Sequence, residues 1–447
     1  MEPLDADHSE VECSSFQSMY RRTLIRSASA ATGIGLFSGW TDVAEAIARA
    51  EESHSLKGDA KSLIFLWMQG GPSQLETFDP HPNTKIGGET KAIATSLPGL
   101  QISNLLPRTA EVMHLGTLVR SMVSKEGDHE RASYTMKNGW RPDPTLIHPS
   151  IGAVLCHQSK GNIEIPRHVS ILSSQWPARG GYMGAVHDAF LVGDPRDPIA
   201  NLQSPIDSER VAKRLTDLEQ IVEREFRRGR LRDLDETRTM QQSSTNRATK
   251  MMASSQIKAF QIKEETQQTQ DKFGDTPFGR GCLAAVRLVE QGVRCVEVEL
   301  SGWDTHAKNH LLHSGRCEIL DAALHGLVTE LQNRGLLDST ILVCGGEFGR
   351  TPQINIADGR DHWTTGFSTV VFGGPFRRGF VYGETSSEAV KQDEDPFLRV
   401  KNPVPIEDLH ATLLSTFGVE ISRELQTPIG RPLVLSQGTV RTDLLTS

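Results

Sequence analysis

Short apolar segments recur along the chain from residue 62 onward, and they limit the fold more than any other feature of the sequence. Several of them, such as SLIFLWMQGG and STILVCGG, end in glycines, as buried strands that lead into tight turns do. Helix-period segments at 279–292 and 317–335 lie between some of them. The alternation predicts an α/β protein with a mostly parallel central sheet between helical layers. The strand-like segments occupy residues 62–71, 115–122, 168–172, 293–300, 339–346 and 368–374.

Residues 208–272 differ from this pattern, because they are rich in Arg, Glu, Gln and Lys and poor in glycine. Apolar residues recur at helical spacing in SERVAKRLTDLEQIVEREF, which predicts a helical excursion from the sheet with its charged faces exposed. For 241–256 the sequence leaves helix and loop as alternatives. We therefore expect an N-terminal segment, residues 1–55, followed by a single α/β domain, residues 56–447.

Composition excludes several classes of protein. The chain of 447 residues carries a net charge of −8 and shows no basic stripe, so we expect no nucleic-acid partner. No run approaches the roughly 18 apolar residues of a membrane span, so we expect no transmembrane segment. The 6 cysteines are scattered without a C-x-x-C pair, which indicates neither a zinc knuckle nor a disulfide framework.

The N-terminal segment resembles a targeting sequence. MYRRTLIRSASAATGIGLFSGW places paired Arg21 and Arg22 before a mildly apolar stretch of small residues, as a twin-arginine export signal does. The alternative is an ordinary amphipathic or disordered N-terminal segment. We predict a periplasmic or otherwise exported protein, and a cytoplasmic location stays open as the alternative.

Polar residues gather after the apolar segments. In open α/β sheets, ligands bind beyond the carboxyl ends of the strands, so these residues are candidates for one common site. The stretch ILVCGGEFGRTPQINIADGRDHW is the densest example. The polar residues that follow the apolar segments are Ser73, Glu76, Asp79, Asp128, His129, Asp304, His306, His310, Glu347, Arg350, Asp361 and His362.

Carboxylates mixed with imidazoles suit a divalent metal ion. Asp304 and His306 are two positions apart, so in an extended backbone both side chains leave on the same side. Glu347 and His362 come from another loop and could complete the ligand shell. Arg350 is a candidate for a two-pronged contact with a phosphate or sulfate oxygen. The sequence does not distinguish Zn, Mn, Mg and Ca.

Each motif has a structural alternative. An Asp and a His in a loop, as in WDTH or GRDHW, are usually solvated or hydrogen-bonded without a metal. Ser73-x-x-Glu76 is a capping box at the start of a helix, and Ser73 is equally a candidate nucleophile beside an anion. His129 is a lower-ranked candidate acid, since its loop follows another strand.

Several ordered blocks together resemble one family. FLWMQGGPSQLETFDPHP, DHERASYTMKNG, GWDTH, GEFGRTPQIN and GRDHW are similar to the signature blocks of the domain-of-unknown-function 1501 family, over roughly Arg21 to Leu435. That family is common in planctomycetes and related bacteria, often with export signals. It resembles the alkaline-phosphatase-like superfamily of phosphatases, sulfatases and cofactor-independent phosphoglycerate mutases. The resemblance implies an alkaline-phosphatase-like α/β fold with a metal site at the strand ends.

The resemblance also implies roles for individual residues. The Asp and His ligands of the superfamily match Asp304 and His306, and its final ligand histidine matches His362. Its Asp-His-Gly resembles Glu347–Phe348–Gly349, where phenylalanine replaces the histidine. These matches imply a metal held by Asp304, His306 and His362, with Glu347 nearby.

One further departure concerns the first strand. The superfamily places an Asp directly at its end, whereas Met68, Gln69 and Gly70 stand there in this sequence. That ligand is either missing or supplied by Glu76 or Asp79. Since these changes affect mainly one of the two usual metal positions, a single-metal site is expected.

Two functions follow from this reading. The first is an exported, metal-dependent hydrolase of a phosphate or sulfate ester, with Ser73 as nucleophile and a substrate that is an anionic ester small molecule or a sulfated or phosphorylated glycan. The second is a non-catalytic binding or surface-associated protein that retains a degenerate site of this kind.

Overall fold

A computed structural model describes residues 60–446, apart from residues 160, 162, 201, 203–206, 219, 222–239 and 392–393. The predicted export signal lies outside the described residues. None of the helices in this described part combines the length and hydropathy that a bilayer span needs.

The secondary structure alternates between strands and helices, as the sequence predicts. The strands are β1 (Ser62–Gln69), β2 (Ala92–Ala94), β3 (Gln101–Ser103), β4 (Gly116–Val123), β5 (His168–Ile171), β6 (Phe190–Val192), β7 (Cys295–Ser301), β8 (Thr340–Gly345), β9 (Gly349–Arg350), β10 (His362–Trp363), β11 (Thr365–Phe372), β12 (Phe380–Tyr382), β13 (Glu384–Thr385), β14 (Val400–Lys401), β15 (Val404–Pro405), β16 (Glu424–Gln426) and β17 (Pro432–Val434). The α-helices are α1 (Pro107–Val112), α2 (His129–Asn138), α3 (Ile151–Gln158), α4 (Ser208–Leu218), α5 (Met240–Ala253), α6 (Gln267–Asp271), α7 (Pro277–Glu290), α8 (Asn309–Asn333) and α9 (Ile406–Thr416).

The central sheet is mostly parallel. Its strands lie in the order β12-β4-β11-β8-β1-β7-β5-β6, and β15 also pairs with β4. β11 runs antiparallel to both of its neighbours, whereas the other pairs are parallel. The predicted α/β fold with a mostly parallel sheet is therefore confirmed.

Both faces of the sheet are buried. In β1, Ile64, Leu66 and Met68 belong to a core that includes residues of α7 and α8, while Leu63 and Trp67 belong to a second core with residues of α2, α3 and α9. Alternate side chains of a strand point to opposite faces, so a continuous apolar run fills both layers. The sheet lies between helical layers, as predicted.

The described parts of residues 208–272 are largely helical, with α4, α5 and α6 in this region. For 241–256 the structure decides between the two alternatives, because α5 covers most of that stretch. The helical prediction is confirmed for the described residues.

The antiparallel strand β11 decides which loops meet at the edge of the sheet. The carboxyl ends of β1, β4, β7 and β8 lie at one edge, and Thr365 at the beginning of β11 pairs with Val123 at the end of β4. Residues that precede β11, rather than those that follow it, therefore reach this edge. β10 stands directly before β11 and brings His362 there.

The turn after β1 packs closely against the loop after β7. A Cβ on Gly70 would lie 2.5 Å from the backbone nitrogen of Asp304, and Gly70 has a φ of +112°. Both the contact and the dihedral angle require glycine there. The glycine that ends the first apolar segment thus permits the approach of the Asp304 loop.

Candidate metal centre

Asp304 lies at the centre of a polar cluster at the carboxyl edge of the sheet. It belongs to the loop between β7 and α8, and 45% of its side chain is exposed. Arg350 donates from Nη2 to Oδ1 of Asp304 over 2.6 Å. Burial alone would raise the pKa of Asp304, but the hydrogen bond and charge of Arg350 outweigh it and lower the pKa. Asp304 is therefore an ionised, partly exposed carboxylate.

Three histidines surround this carboxylate. The Nε2 atoms of His306 and His362 lie 3.1 Å and 3.5 Å from Oδ1, and Nε2 of His129 lies 3.3 Å from Oδ2. The Nε2 atoms of His306 and His362 are 3.1 Å apart. Candidate ligand atoms of His129, Asp304 and His362 all lie within 4.8 Å of one another. The loops after β4 and β7 and the strand before β11 thus converge on one point.

Each histidine ring is held by its other nitrogen. Nδ1 of His129 lies 2.8 Å from Oε1 of Glu347, and Nδ1 of His306 lies 2.6 Å from Oδ1 of Asp361. Nδ1 of His362 lies 2.7 Å from the carbonyl oxygen of Gly127. All three partners are acceptors, so Nδ1 carries the proton in each neutral ring. A second hydrogen bond of this kind is the usual arrangement of a metal-binding histidine.

The donor set fits a divalent cation. With the protons on Nδ1, the unprotonated Nε2 atoms of His306 and His362 lie close to each other and to Oδ1 of Asp304, and Nε2 of His129 lies close to Oδ2. Nε2 of His129 is buried and has no hydrogen-bond partner among the described residues. A cation satisfies these lone pairs together, since imidazole nitrogens and a carboxylate oxygen are ordinary ligands of zinc and of related ions.

The pKa values of His129 and His362 shift in opposite directions. Burial alone would lower the pKa of His129, but its hydrogen bond to Glu347 and the charges of Glu347 and Asp304 raise it. Burial lowers the pKa of His362, in the same direction as the nearby charge of Arg350. The surrounding carboxylates therefore favour positive charge at His129, whereas burial and Arg350 oppose it at His362.

Glu347 and His129 lie side by side at the cluster. Glu347 was expected among the ligands, but its buried carboxylate accepts from the backbone nitrogen of Gly70 and holds Nδ1 of His129. His129 itself contributes Nε2 to the cluster, from the first residue of α2. Asp128 caps this helix by accepting from the backbone nitrogen of Arg131 over 3.2 Å. The sequence signal for His129 was its place after a predicted strand, which it shares with Asp304 and His306.

Arg350 links Asp304 to the backbone of the neighbouring loops by hydrogen bonds. Its buried guanidinium donates to the carbonyl oxygens of Gly70, Gly71 and Arg360 as well as to Asp304. These contacts fix the Asp304 carboxylate and use the donors that an anion would need. Anion binding by Arg350 stays a prediction, and its contacts favour a positioning role instead.

Ser73 lies in a separate buried network. Residues 74–78 form turns, so no helix begins there and the predicted capping box is wrong. Ser73 is fully buried, its backbone nitrogen donates to Nε2 of His313 over 2.8 Å, and its hydroxyl has no well-aligned partner among the described residues. Its role as nucleophile stays a prediction, but this geometry does not bring the hydroxyl to a substrate.

The acids near Ser73 do not supply the missing ligand. Glu76 forms a buried ion pair with Arg360 at 3.0 Å, and Asp79 pairs with Arg120 at 3.1 Å. The side chain of Gln69 accepts from the hydroxyl of Ser174 over 2.6 Å. The ring centroid of Phe348 lies 5.0 Å and 4.5 Å from those of His129 and His362, where it packs rather than binds.

Comparison with known proteins agrees with the family resemblance. The sequence model of the family described as "Protein of unknown function (DUF1501)" matches residues 60–445. No curated protein matches the chain.

Similar solved structures include sulfatases and related proteins. PsFucS1 sulfatase from Pseudoalteromonas sp. is 12% identical, with 84% of this chain and 71% of that chain covered and a TM-score of 0.40. A protein in the alkaline phosphatase superfamily from Vibrio parahaemolyticus is 13% identical, with 80% and 67% covered and a TM-score of 0.33. The lipoteichoic acid synthase LtaP from Listeria monocytogenes is 11% identical, with 81% and 74% covered and a TM-score of 0.35.

Proposed function

This chain belongs to the DUF1501 family, and we propose that it is a metal-dependent hydrolase of phosphate or sulfate esters with an alkaline-phosphatase-like site. The observation that carries the proposal is the convergence of three Nε2 lone pairs on the partly exposed carboxylate of Asp304. Imidazole nitrogens beside a carboxylate are groups suited to a bound cation. Its position beyond the carboxyl ends of the strands is where ligands bind in open α/β sheets.

The ligand set in this proposal is Asp304, His306, His362 and His129. A divalent cation held by these residues would supply Lewis-acid chemistry, which polarises an ester oxygen and lowers the pKa of a bound water. The exposed sides of Asp304 and His306, at 45% and 48%, leave room for an ester to approach. In this proposal Glu347 is not a metal ligand and instead orients the ring of His129.

The remaining contacts hold the ligands in place before substrate arrives. Arg350 fixes Asp304, Asp361 orients His306, and the Gly127 carbonyl orients His362. Preorganised groups act on the transition state without rearranging, which is the usual source of electrostatic catalysis. In this arrangement a water is the nucleophile, because the Ser73 hydroxyl is buried.

The experiment is a comparison of metal binding and turnover. We expect the purified protein, stripped with a chelator, to bind Zn or Mn in calorimetry and then to hydrolyse 4-nitrophenyl phosphate or 4-nitrophenyl sulfate. His306→Gln serves as the ligand variant. His114→Gln serves as the matched control, because His114 is exposed and lies before β4, at the opposite end of that strand from His129. Failure of the parent to bind any divalent metal would exclude the proposal.

A second candidate function is binding without turnover. It is favoured by Gln69 and Phe348, whose side chains contact Ser174 and the histidine rings and so provide no ligands for a second metal. A protein that binds the metal and an ester but hydrolyses neither a phosphate nor a sulfate, with any of the metals, belongs to this second class.

The substrate class and location complete the proposal. We propose an anionic ester small molecule or a sulfated or phosphorylated glycan as substrate, and export through the twin-arginine pair Arg21–Arg22. N-terminal sequencing of the protein from its native host tests the export step. A cleaved product outside the cytoplasm is expected, whereas cytoplasmic protein that retains Met1 would contradict export.

A further inference from the structure

A cavity of about 230 Å³ lies at the edge of the sheet opposite the metal centre. It is lined by the carboxyl end of α3, by Arg294 just before β7 and by the segment that follows α9. The guanidinium of Arg294 donates from Nη1 to the carbonyl oxygen of Lys61, directly before β1. Because β1 spans 8 residues at about 3.3 Å each, roughly 25 Å separates this cavity from the cluster.

Arginines without acid partners surround the cavity. Arg294 and Arg423 line it, and Arg167 donates to the hydroxyl of Ser159, which also lines it. Arg423 donates to the side-chain oxygen of Gln158 over 3.2 Å, and Arg167 also donates to the carbonyl oxygen of Cys156. Among the described residues, none of the three arginines forms an ion pair with a carboxylate.

The charge balance at the cavity is positive. The lining residues include one acid, Glu420, and two arginines, Arg294 and Arg423. Arg167 adds a third positive charge beside them. Burial and then the charge of Arg167 lower the pKa of Arg294, so the two guanidinium groups repel each other. Repulsion between half-buried cations is relieved by a bound anion, and a guanidinium is suited to phosphate or sulfate oxygens.

We propose that this cavity, lined by Arg294 and Arg423 with Arg167 behind Ser159, is a second anion-binding site that takes a phosphate or sulfate group. Its volume holds one such tetrahedral group together with several waters, since a water occupies about 30 Å³ of the liquid. The site is separate from the metal centre and does not depend on the proposed hydrolysis. The anion is either free in solution or carried on a larger molecule such as a glycan.

Calorimetry on chelator-treated protein tests the site without a metal in the cluster. We expect inorganic phosphate and inorganic sulfate to bind, with an affinity that falls as salt rises. Arg294→Met should weaken binding roughly 10-fold or more, and Arg423→Met should weaken it several-fold, because each removes a charge-assisted contact. Glu420→Gln should tighten binding about 3-fold by removing the opposing charge.

Arg378→Met is the matched control, since Arg378 is an exposed arginine that pairs with Asp338 elsewhere on the protein. It should leave the affinity unchanged. Arg423 is exposed at the rim, so its variant keeps the test informative if Arg294→Met does not fold.

Tighter binding of a sulfated disaccharide than of inorganic sulfate would assign the anion to a glycan, and equal binding would assign it to the free ion. Two results would overturn the proposal. In the first, Arg423→Met and Arg294→Met leave the affinities for phosphate and sulfate unchanged. In the second, the parent protein binds neither ion at millimolar concentration.

Discussion

Two neighbouring clusters both combine a carboxylate with imidazole and differ in whether their charges are balanced inside the protein. The first is the candidate metal centre of His129, Asp304, His306 and His362, in which three imidazole rings surround one carboxylate. The second, here called the buried network, consists of Ser73, Glu76, His313 and Arg360, and its charged groups find partners inside the protein.

The difference between them shows which polar groups need a ligand. Arg360 donates to Glu76 and to three backbone carbonyl oxygens, so the charges of the buried network are balanced inside the protein. Its atoms without a hydrogen-bond partner among the described residues are the Ser73 hydroxyl and Oε2 of Glu76. The metal centre is 21–48% exposed at its three histidines and Asp304 and leaves Nε2 of His129 unpaired. We therefore expect changes in the network to affect stability, and changes in the metal centre to affect metal binding and turnover.

The largest expected effect is removal of two ligands at once. His306→Ala combined with His362→Ala should abolish measurable metal binding and ester turnover, because it leaves only two of the four proposed donors. Metal titration by calorimetry and hydrolysis of 4-nitrophenyl esters measure both. Unfolding of the metal-free variant should match that of the metal-free parent, since both rings are partly exposed. Retained metal affinity in the double variant would show that the ion binds elsewhere.

The buried network should respond in the opposite way. Glu76→Gln leaves the fully buried Arg360 without its counter-charge, which typically costs roughly 3–5 kcal/mol. Urea unfolding measures this loss, and turnover per folded molecule should change little. Glu384→Gln breaks an exposed ion pair with Lys401 and is the control, with an expected cost below about 1 kcal/mol. Equal losses in the two variants would contradict a structural role for Glu76.

Asp361 tests the contribution of a residue that orients a proposed ligand, because it holds Nδ1 of His306 and is not itself a proposed ligand. Asp361→Asn should reduce metal affinity roughly 10–100-fold by loosening His306. It should not change the stability of the metal-free protein, because 56% of its side chain is exposed. Asp358→Asn, in the same loop, is the control and should retain full affinity. An unaltered affinity in Asp361→Asn would remove Asp361 from the site.

The pH dependence of stability should report on His313. Burial lowers the pKa of this imidazole to about 4, and the charge of Glu76 raises it by a smaller amount. The unfolded chain takes up the proton near pH 6.5, so this contribution to stability is present above pH 6.5 and is lost as the pH falls toward 4. The loss amounts to about 2 kcal/mol at pH 5.

His313→Gln keeps an acceptor for the backbone nitrogen of Ser73 and should make this acid slope shallower. Urea unfolding at pH 5 and pH 8 measures the difference, and the pH 8 value separates the titration from any loss of packing. A residual slope is expected from His410, which is also buried with a pKa of about 4. An acid slope as steep in the variant as in the parent would assign the effect to other groups.

The smallest expected effect is that of Ser73→Ala. Its hydroxyl is buried without a well-aligned partner, so we expect a stability change of at most about 1 kcal/mol and an unchanged rate of ester hydrolysis. Thermal unfolding and hydrolysis on one purified variant measure both. A loss of turnover by several powers of ten with intact folding would establish Ser73 as the nucleophile and overturn the water mechanism.

The sequence by itself determined the class of fold, the family and three of the proposed ligands. Continuous apolar segments that end in glycine are a local signal, so they identify strands and the points where strands end. Asp304 and His306 follow such a point, and His362 matches the final ligand histidine of the family's superfamily. The signature blocks around all three identify the DUF1501 family. These conclusions required no knowledge of which strands are neighbours.

Only the tertiary structure decided which polar side chains meet. Glu76 pairs with Arg360 across 284 positions of sequence, and His129 meets Glu347 across 218. The antiparallel direction of β11 brings His362 to the metal edge, and the approach of the Asp304 loop to Gly70 aligns Asp304 with Arg350. Periodicity is read along the chain, whereas these contacts depend on strand order, strand direction and the packing of loops that are distant in sequence.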